Sequence, residues 1–329
     1  MERDLILGMD IGGTKLAVVL SDLKGNILRK VREPTEAEKG PDHVISKLIR
    51  MSRRLMEEAG VTADRIVGVG VSCGGPLDTK TGIVYSPPNL PGWDAVPLKS
   101  IVESELGLPA IVENDANAGA LAEWMFGAGR GYSYVVYMTM GTGIGGGIVI
   151  DGKIYHGAND TAGEVGHQIL LPDGPPCGCG KRGCLEALCS GPAIARRARE
   201  AVKSNPDTLI LELAGGRIEE VKSEHVVEAA KKGDKLALKL IEETGWYMGW
   251  GIANMVNILN PEVVIIGTIA VAAGDLLLEP IRRTVRRMAM ERAASAVKIL
   301  PAQLGEYVGD LAAVSLVISN LDRLRGAER

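Results

Sequence analysis

The feature that most constrains the fold is a strand–turn–strand pattern that occurs twice, near the start of each half of the chain. An apolar run at residues 5–11 leads into the pair Gly12-Gly13 and then into a second apolar run. Residues 134–140 and a Gly-Thr-Gly turn at residues 141–143 repeat this order. Apolar runs joined by a glycine-rich turn predict a β-hairpin. Its recurrence predicts two related α/β halves around a cleft.

Hydrophobic periodicity predicts the elements that accompany these hairpins. Further strands are predicted at residues 66–71, 111–112 and 263–266. Helices are predicted at residues 42–58, 116–126, 193–204, 223–232, 234–257 and 276–292. No low-complexity linker separates the halves, so the sequence marks only a soft boundary near residue 116.

Composition and charge exclude several classes of protein. A net charge of −4 disfavours nucleic-acid and anionic-membrane partners. The charged N-terminus predicts no signal peptide, and the longest apolar run is too short and too interrupted to span a bilayer. We therefore expect a cytoplasmic protein. Three of the five cysteines are clustered, which in that compartment favours a metal site over disulfides.

The first glycine turn has the composition of a phosphate-binding site. Gly12 and Gly13 let the backbone approach a ligand, and exposed amides in such a turn attract anions. Thr14 and Lys15 add a hydroxyl donor and a positive charge, and Asp10 can hold a hydrated Mg²⁺. The spacing is neither that of a P-loop nor that of a dinucleotide fingerprint. A purely structural hairpin turn is the alternative, but the second turn favours two opposed turns that clamp a polyphosphate.

The cysteine cluster predicts a structural zinc site. His167, Cys177, Cys179 and Cys184 supply one imidazole and three thiolates within a short segment, which matches a closed tetrahedral Zn²⁺ site. Reduced cysteines in an ordinary loop are the alternative.

Six motifs in order resemble a known family. They are DIGGTK at residues 10–15, ENDAN at 113–117, GTGIGGG at 141–147, GEVGH at 163–167, CGCG at 177–180 and GCLE at 183–186. This set resembles the ROK family (repressor, open reading frame, kinase), in particular its bacterial-type glucokinases. The resemblance extends from about residue 5 to the C-terminus.

The resemblance implies an actin-like ATPase (ribonuclease H-like) fold of two α/β domains around a cleft that holds ATP and sugar. The last helix, at residues 308–324, would return to the N-terminal domain. The implied domains are residues 1–116 with 308–329, and residues 117–307 with the zinc loop.

The resemblance also implies the site residues. Asp115 would be the catalytic base, although an ordinary helix N-cap is its alternative role. The predicted sugar residues are Gly75, Asn89, Asn114, Asp115, Glu164, His167 and Glu186. The predicted ATP residues are Asp10, Gly12, Gly13, Thr14, Lys15, Thr139, Gly141, Thr142, Gly143 and Gly267. The predicted metal residues are the Cys₃His set for zinc and Asp10 for Mg²⁺.

These implications predict ATP-dependent phosphorylation of a hexose, in the first place of glucose to glucose 6-phosphate. A kinase for N-acetylmannosamine, allose or fructose is the alternative, and a non-catalytic sugar-sensing ROK protein is a further one. A repressor is disfavoured because Asp10 already lies in the first strand, which leaves no room for a preceding DNA-binding segment. Thr268 follows Gly267 where the family has glycine, so its side chain would face the adenosine. A homodimer or homotetramer is expected.

Overall fold

The computed structural model describes residues 3–326 and shows a mixed α/β chain. The strands are β1 Leu5–Ile11, β2 Lys15–Asp22, β3 Ile27–Pro34, β4 Ile66–Cys73, β5 Leu77–Asp78, β6 Ile83–Val84, β7 Ala110–Asn114, β8 Tyr134–Met138, β9 Gly146–Ile150, β10 Lys153–Ile154, β11 Val263–Ile266 and β12 Lys298–Pro301. The helices are α1 Pro41–Glu58, α2 Leu98–Leu106, α3 Asp115–Phe126, α4 Leu185–Cys189, α5 Gly191–Ser204, α6 Leu209–Leu213, α7 Ser223–Lys231, α8 Lys235–Leu259, α9 Ile269–Ala273, α10 Asp275–Met288, α11 Glu291–Ala296, α12 Val308–Ile318 and α13 Leu321–Gly326.

The chain divides into two compact units. The first unit contains the described residues up to Arg130, residues Gly147–Ala162 and the described residues from Glu306 onwards. The second unit contains Gly131–Gly146 and Gly163–Gly305. The predicted domains, residues 1–116 with 308–329 and residues 117–307, stay a prediction. Residues 1–2 and 327–329 of that prediction lie outside the described part of the chain.

The first unit is built on a five-stranded sheet in the order β3-β2-β1-β4-β7. β1 and β2 form the predicted antiparallel hairpin, while β1, β4 and β7 run parallel. The sheet is covered on both faces, so β1 is a continuous apolar run rather than an alternating one. Leu7 and Met9 of β1 lie in the larger core with α1 and α2, whereas Ile6 lies in the smaller core with α12 and α13.

Two glycines allow α12 to approach this sheet closely. A Cβ atom at Gly70 of β4 would overlap the carbonyl oxygen of Ala313. A Cβ at Gly8 of β1 would lie 2.7 Å from Val19 and 3.2 Å from Ala313. Because no side chain separates the helix from the strands, α12 packs almost directly on the backbone of β1 and β4.

The second unit combines parallel strands with a close pair of helices. β8 and β12 both pair in parallel with β11. Helices α8 and α10 pack tightly because Gly245 and Gly249 of α8 face α10. A Cβ at Gly245 would lie 2.5 Å from Pro280, and one at Gly249 would lie 2.5 Å from Thr284.

Several features of the fold differ from the sequence-based expectation. The edge strand β3 was not predicted because its charged, partly exposed residues give little apolar signal, and β12 was not predicted because it has only four residues. The helix predicted at residues 276–292 ends at Met288, because the Met290 N–H bonds to the Asn257 side chain at 2.8 Å instead of continuing the helix.

The helix predicted at residues 308–324 is likewise divided. It consists of α12 and α13, which are separated at Ser319-Asn320. There the Asn320 amide donates to the Leu316 carbonyl at 2.9 Å and competes with the helical pattern. Among the helices of residues 3–326, none combines the length and the apolar composition needed to cross a bilayer.

Candidate functional site

Polar side chains of the first unit meet where its parallel strands end. Asp10 is the penultimate residue of β1 and pairs in register with Ser72 of β4. Cys73 of β4 pairs with Asn114, the last residue of β7, and Asp115 follows at the start of α3. Carboxyl ends of neighbouring parallel strands are where ligands bind in open α/β sheets. The structure therefore brings Asp10, Asn114 and Asp115 together in one group.

Asp10 has an unusual electrostatic environment. Burial raises the pKa of its carboxyl to about 6, and the negative charges of Asp115 and Asp310 act in the same direction. A hydrogen bond to Ser72 and the positive charge of Lys30 partly offset this rise. The negative charges of Asp10 and Asp115 thus repel each other, and a bound cation would reduce this repulsion.

The Asp10 carboxylate rests on the first turn of α12. The space beside its oxygens is open only because residue 309 is glycine, since a Cβ there would lie 2.9 Å from the Asp10 Cγ and closer still to Oδ2. Next to it, the buried Asp310 forms an ion pair with Lys30 of β3. The orientation of Asp10 therefore depends on a helix almost three hundred residues further along the chain.

The predicted base, Asp115, is the first residue of α3 and is solvent-exposed. The N-cap of this helix is Asn114, whose side chain accepts from the N–H groups of Ala116 and Asn117 at 2.9 and 3.3 Å. The alternative role of Asp115 as the N-cap is therefore wrong. Its Oδ1 accepts from the Ala116 N–H at 2.8 Å, which fixes the carboxylate on the first turn.

A buried carboxylate lies directly before this pair. Glu113 is 4% exposed, and its Oε1 accepts from the Asn114 N–H at 2.9 Å and from the Asn117 side chain at 3.1 Å. Its Oε2 lies 2.7 Å from Nε2 of His156, a residue in the segment after β10. Glu113 raises the pKa of the His156 imidazole above its ordinary value, mainly through this hydrogen bond.

The first glycine turn lies beside the predicted sugar residues of the same unit. The Gly12 N–H donates to the Lys15 carbonyl at 3.1 Å and closes the turn, and the Thr14 and Lys15 side chains are exposed. Asn89 packs against this turn, because a Cβ at Gly13 would lie 2.7 Å from the Asn89 Cβ. Gly75 similarly faces the Asn114 amide, 2.8 Å from where its Cβ would be.

The second glycine turn is held at both ends within the second unit. Backbone and hydroxyl bonds join Thr139 to Gly145 at 2.9 and 3.0 Å. The Gly141 N–H donates to the Gly143 carbonyl at 2.9 Å, and the Gly141 carbonyl accepts from the Gly191 N–H at 2.7 Å. Thr142 is exposed at the tip. The turn thus presents a fixed backbone to a ligand.

The predicted zinc ligands form one compact group. One ligand atom from each of His167, Cys177, Cys179 and Cys184 lies within 4.8 Å of every other. The Sγ atoms of Cys179 and Cys184 are 3.7 Å apart, and the Cys177 Sγ is 3.6 Å from the His167 Nδ1. A tetrahedron with metal–sulfur bonds of about 2.3 Å has edges of about 3.8 Å. The donor set and its spacing are therefore compatible with zinc.

Two carboxylates of the second unit join this group to its surroundings. Glu164 Oε2 lies 3.8 Å from the His167 Nε2, the ring nitrogen that faces away from Cys177. Glu186 Oε1 lies 3.6 Å from the Cys177 Sγ, and its Oε2 accepts from the Ile144 N–H at 2.9 Å. Glu186 therefore connects the Cys₃His group with the second glycine turn.

Thr268 borders a cavity next to the same turn, and Gly267 precedes it in the chain. The Gly267 N–H donates to the Met138 carbonyl at 2.8 Å. Thr268 has φ 54° and ψ −105°, a backbone conformation that β-branched residues rarely adopt. The cavity has a volume of about 430 Å³, and its lining includes Gly141, Thr142, Arg199 and Lys222.

Comparison with known proteins shows the family of the chain. The model of the ROK family matches residues 6–320. The chain belongs to the ROK family. The glucokinase of Thermotoga maritima is 38% identical over 317 residues, which cover 96% of this chain and 98% of that protein. The putative xylose repressor of Caldicellulosiruptor sp. strain Rt8B.4 is 34% identical over 96% of this chain and 79% of its own length.

A solved ROK structure shows the same fold. The ROK glucokinase of Streptomyces griseus, crystallised with glucose and AMPPNP, has a TM-score of 0.80 and 36% identity, covering 95% of this chain and 98% of its own. The predicted α/β, actin-like ATPase fold is confirmed by this likeness and by the family match.

The sequence did not single out every residue that contacts the candidate site. Glu113 was part of a motif without a role of its own, and His156, Ser72, Gly309 and Asp310 were not predicted. A polar residue inside an otherwise apolar strand would have pointed to Glu113. No local pattern would have pointed to its partner, because His156 lies 43 positions further along the chain.

Proposed function

We propose that this protein is a glucokinase that transfers the terminal phosphoryl group of ATP to glucose and forms glucose 6-phosphate. The observation that carries the proposal is the near full-length similarity to ROK glucokinases, one of which was crystallised with glucose and the ATP analogue AMPPNP. The carboxylates, amides and glycine turns described above supply the chemical groups that this reaction requires.

Asp115 is the proposed catalytic base. It is exposed, ionisable and held at the start of α3, where the helix dipole favours a negative charge. It would accept the proton of the sugar 6-hydroxyl as the oxygen attacks the terminal phosphorus. Gly75, Asn89, Asn114, Glu164, His167 and Glu186 are the proposed sugar-binding residues, whose amides and carboxylates suit the dense hydroxyls of a hexose.

The two glycine turns are the proposed phosphate contacts. The residues of the first turn are Gly12, Gly13, Thr14 and Lys15, those of the second are Thr139, Gly141, Thr142 and Gly143, and Gly267 would lie near the adenosine. Asp10 is the proposed carboxylate for Mg²⁺, since a cation there would relieve the repulsion between Asp10 and Asp115. A magnesium ion would neutralise the charge of the transferred phosphate.

Zinc is proposed as a structural ion. The four donors leave no open position for a substrate, so zinc would fold the segment around Cys184 and hold Glu186 and His167 in place. The His167 Nδ1 would bind the metal, and its Nε2 remains for Glu164 or a sugar hydroxyl. A homodimer or homotetramer is the proposed assembly.

A coupled assay tests the proposed function. Purified protein with ATP and Mg²⁺ is offered glucose, N-acetylmannosamine, allose and fructose, and ADP and polyphosphate are tested as alternative donors. We expect the highest kcat/KM for glucose with ATP. A preference for another hexose would support the proposed kinase activity but with a different substrate. Sugar binding without turnover for any hexose would favour the sugar-sensing alternative, which the similarity to a putative xylose repressor supports.

A single substitution tests the role of Asp115. Asp115→Asn keeps the size and the first-turn position of the side chain but removes its basicity. We expect normal folding and a loss of nearly all turnover. Retention of most of the activity would contradict the assignment of the base.

A further inference from the structure

The first turn of α3 is hydrogen-bonded to a buried carboxylate, that of Glu113. Glu113 has no freedom to act as a solvated surface residue, because it is 4% exposed and both of its oxygens are engaged. Through Oε1 it binds the N–H of Asn114 and the side chain of Asn117, one residue before and two residues after Asp115. The position of the Asp115 backbone thus depends on where the Glu113 carboxylate lies.

The other oxygen of Glu113 is held by His156. The Nε2–Oε2 distance of 2.7 Å is that of a strong, charge-assisted hydrogen bond. Without this donor, a carboxylate oxygen would remain buried and unsatisfied, which costs free energy and favours a rotation of Glu113 towards solvent. Such a rotation would break both contacts to α3.

His156 is itself anchored independently of Glu113. Its neighbour Tyr155 donates to the Ile148 carbonyl at 2.8 Å, and the His156 carbonyl accepts from the Ala162 N–H at 3.1 Å. In the same segment, Asp160 binds the hydroxyl and the N–H of Thr79 at 2.9 and 3.1 Å. The imidazole is therefore a fixed support rather than a mobile partner.

We propose that His156 is a positioning residue for phosphoryl transfer: through its hydrogen bond to Glu113 it fixes the first turn of α3 and so aims the Asp115 carboxylate. His156 itself does not touch a reacting atom. This inference rests on the proposed role of Asp115 as the base. It assigns the 155–162 segment a function that should affect kcat more than substrate affinity.

Kinetics of His156 variants test the inference. His156→Ala should lower kcat by roughly 10- to 100-fold, the size of effect that a small misplacement of a catalytic group produces. KM for ATP should be nearly unchanged, and KM for glucose should rise less than kcat falls, because Asn114 lies on the same turn. His156→Gln keeps a side-chain N–H that can reach Glu113, so it should recover a large part of kcat. His43→Gln is the matched control, because His43 also pairs with a glutamate, Glu36 at 3.2 Å, and is similarly exposed at 31% against 34%.

A double substitution separates positioning from a general loss of structure. If His156 acts through Asp115, His156→Ala should cause no further loss of kcat in an Asp115→Asn background. Equal losses in both backgrounds, or wild-type kcat in His156→Ala, would overturn the inference. Should His156→Ala not fold, Glu113→Gln replaces it, and wild-type kcat in Glu113→Gln would overturn the inference equally.

The same measurements distinguish the inference from the proposed function beneath it. If Asp115→Asn alone retains its turnover, the assignment of the base fails and the inference about His156 fails with it. If Asp115→Asn is inactive but His156→Ala is fully active, only the inference is lost.

Discussion

The Asp10 carboxyl has an unusually high pKa for an aspartate. Its raised pKa, about 6, comes first from burial and then from neighbouring negative charge. Because the folded value lies above the unfolded one, this group stabilises the protein at low pH, and its contribution is lost as pH rises between about 4 and 6. Low pH should therefore act on Asp10 by weakening the proposed binding of Mg²⁺, and not by unfolding the protein.

A pH prediction follows for the binding of MgATP. Protonation of Asp10 should weaken its hold on Mg²⁺, so kcat/KM for MgATP should fall as pH drops through about 6. In Asp310→Asn one negative neighbour is removed and Lys30 is released, so this decline should move to lower pH. Rate profiles between pH 5 and 8 measure both effects at roughly the pH values where the group titrates. An identical profile for both proteins would disprove the role of Asp10.

At the residue scale, the sequence could predict the groups whose members are close in the chain. The Cys₃His set lies between residues 167 and 184, and the glycine turns are contiguous, so spacing alone pointed to their chemistry. The supports of the site could not be predicted in this way. Lys30 and Asp310 are 280 positions apart, and only the fold brings them together.

The element that most directly constrains Asp10 is helix α12. Alanine at a helical glycine normally stabilises a protein by up to about 1 kcal/mol. At Gly309, however, the added Cβ would lie 2.9 Å from the Asp10 Cγ, well inside contact distance. Glycine at position 309 is therefore explained by the space that the Asp10 carboxylate needs, and not by helix propensity.

A glycine-to-alanine pair tests this constraint. Gly309→Ala should displace Asp10 and lower kcat/KM for MgATP on the order of 10²-fold, whereas KM for glucose should change little. Gly326→Ala in α13 is the control, since nothing lies within 4 Å of its added Cβ, and it should keep wild-type kinetics. Equal kinetics of both variants would contradict the proposed contact.

The second glycine turn and the Cys₃His group are joined through a single side chain. Glu186 contacts Cys177 with one oxygen and receives the Ile144 N–H with the other. If zinc binds this group as proposed, its removal should disturb Glu186 and loosen the proposed sugar-binding and phosphate-binding residues of the second unit.

Removal of zinc tests this link. Purified protein should contain one zinc per chain, and chelation or Cys184→Ser should raise KM for glucose before kcat is lost. Zinc content, measured by mass spectrometry, would be compared with kinetics on the same samples. Cys189→Ser is the control, since this buried cysteine bonds to the Thr244 carbonyl and lies outside the metal group. A metal-free protein with unaltered affinity for glucose would exclude the proposed role.

At the scale of elements, periodicity predicted most helices and strands but not where some of them end. Helix α1 was expected at residues 42–58 and is observed at Pro41–Glu58, because its apolar face is regular. Helix α10 ends earlier than expected because the side chain of Asn257 in α8 accepts a hydrogen bond from the Met290 N–H. An ending that depends on a distant residue leaves no local signal in the sequence.

Among the described residues, β1–β4 and β7 belong to the first unit, and β8, β11 and β12 belong to the second. The zinc donors all belong to the second unit, whereas Asp10 and Asp115 belong to the first. Loss of zinc should thus raise hydrogen exchange around residues 164–190 and leave β1, β4 and α1 as protected as before. An equal increase in hydrogen exchange in both units would contradict this prediction.

The order of the chain segments in the first unit has a consequence for biosynthesis. Its sheet is complete by Asn114, yet α12, whose Val314 and Val317 cover one face, follows only after Glu306. At about 5–20 residues per second, the ribosome needs roughly 10–35 s to advance from Arg130 to Glu306. During that interval α12 does not yet cover Ile6, Val19 and Val67 of the nascent chain. Chaperones would bind this apolar surface until α12 has been synthesised.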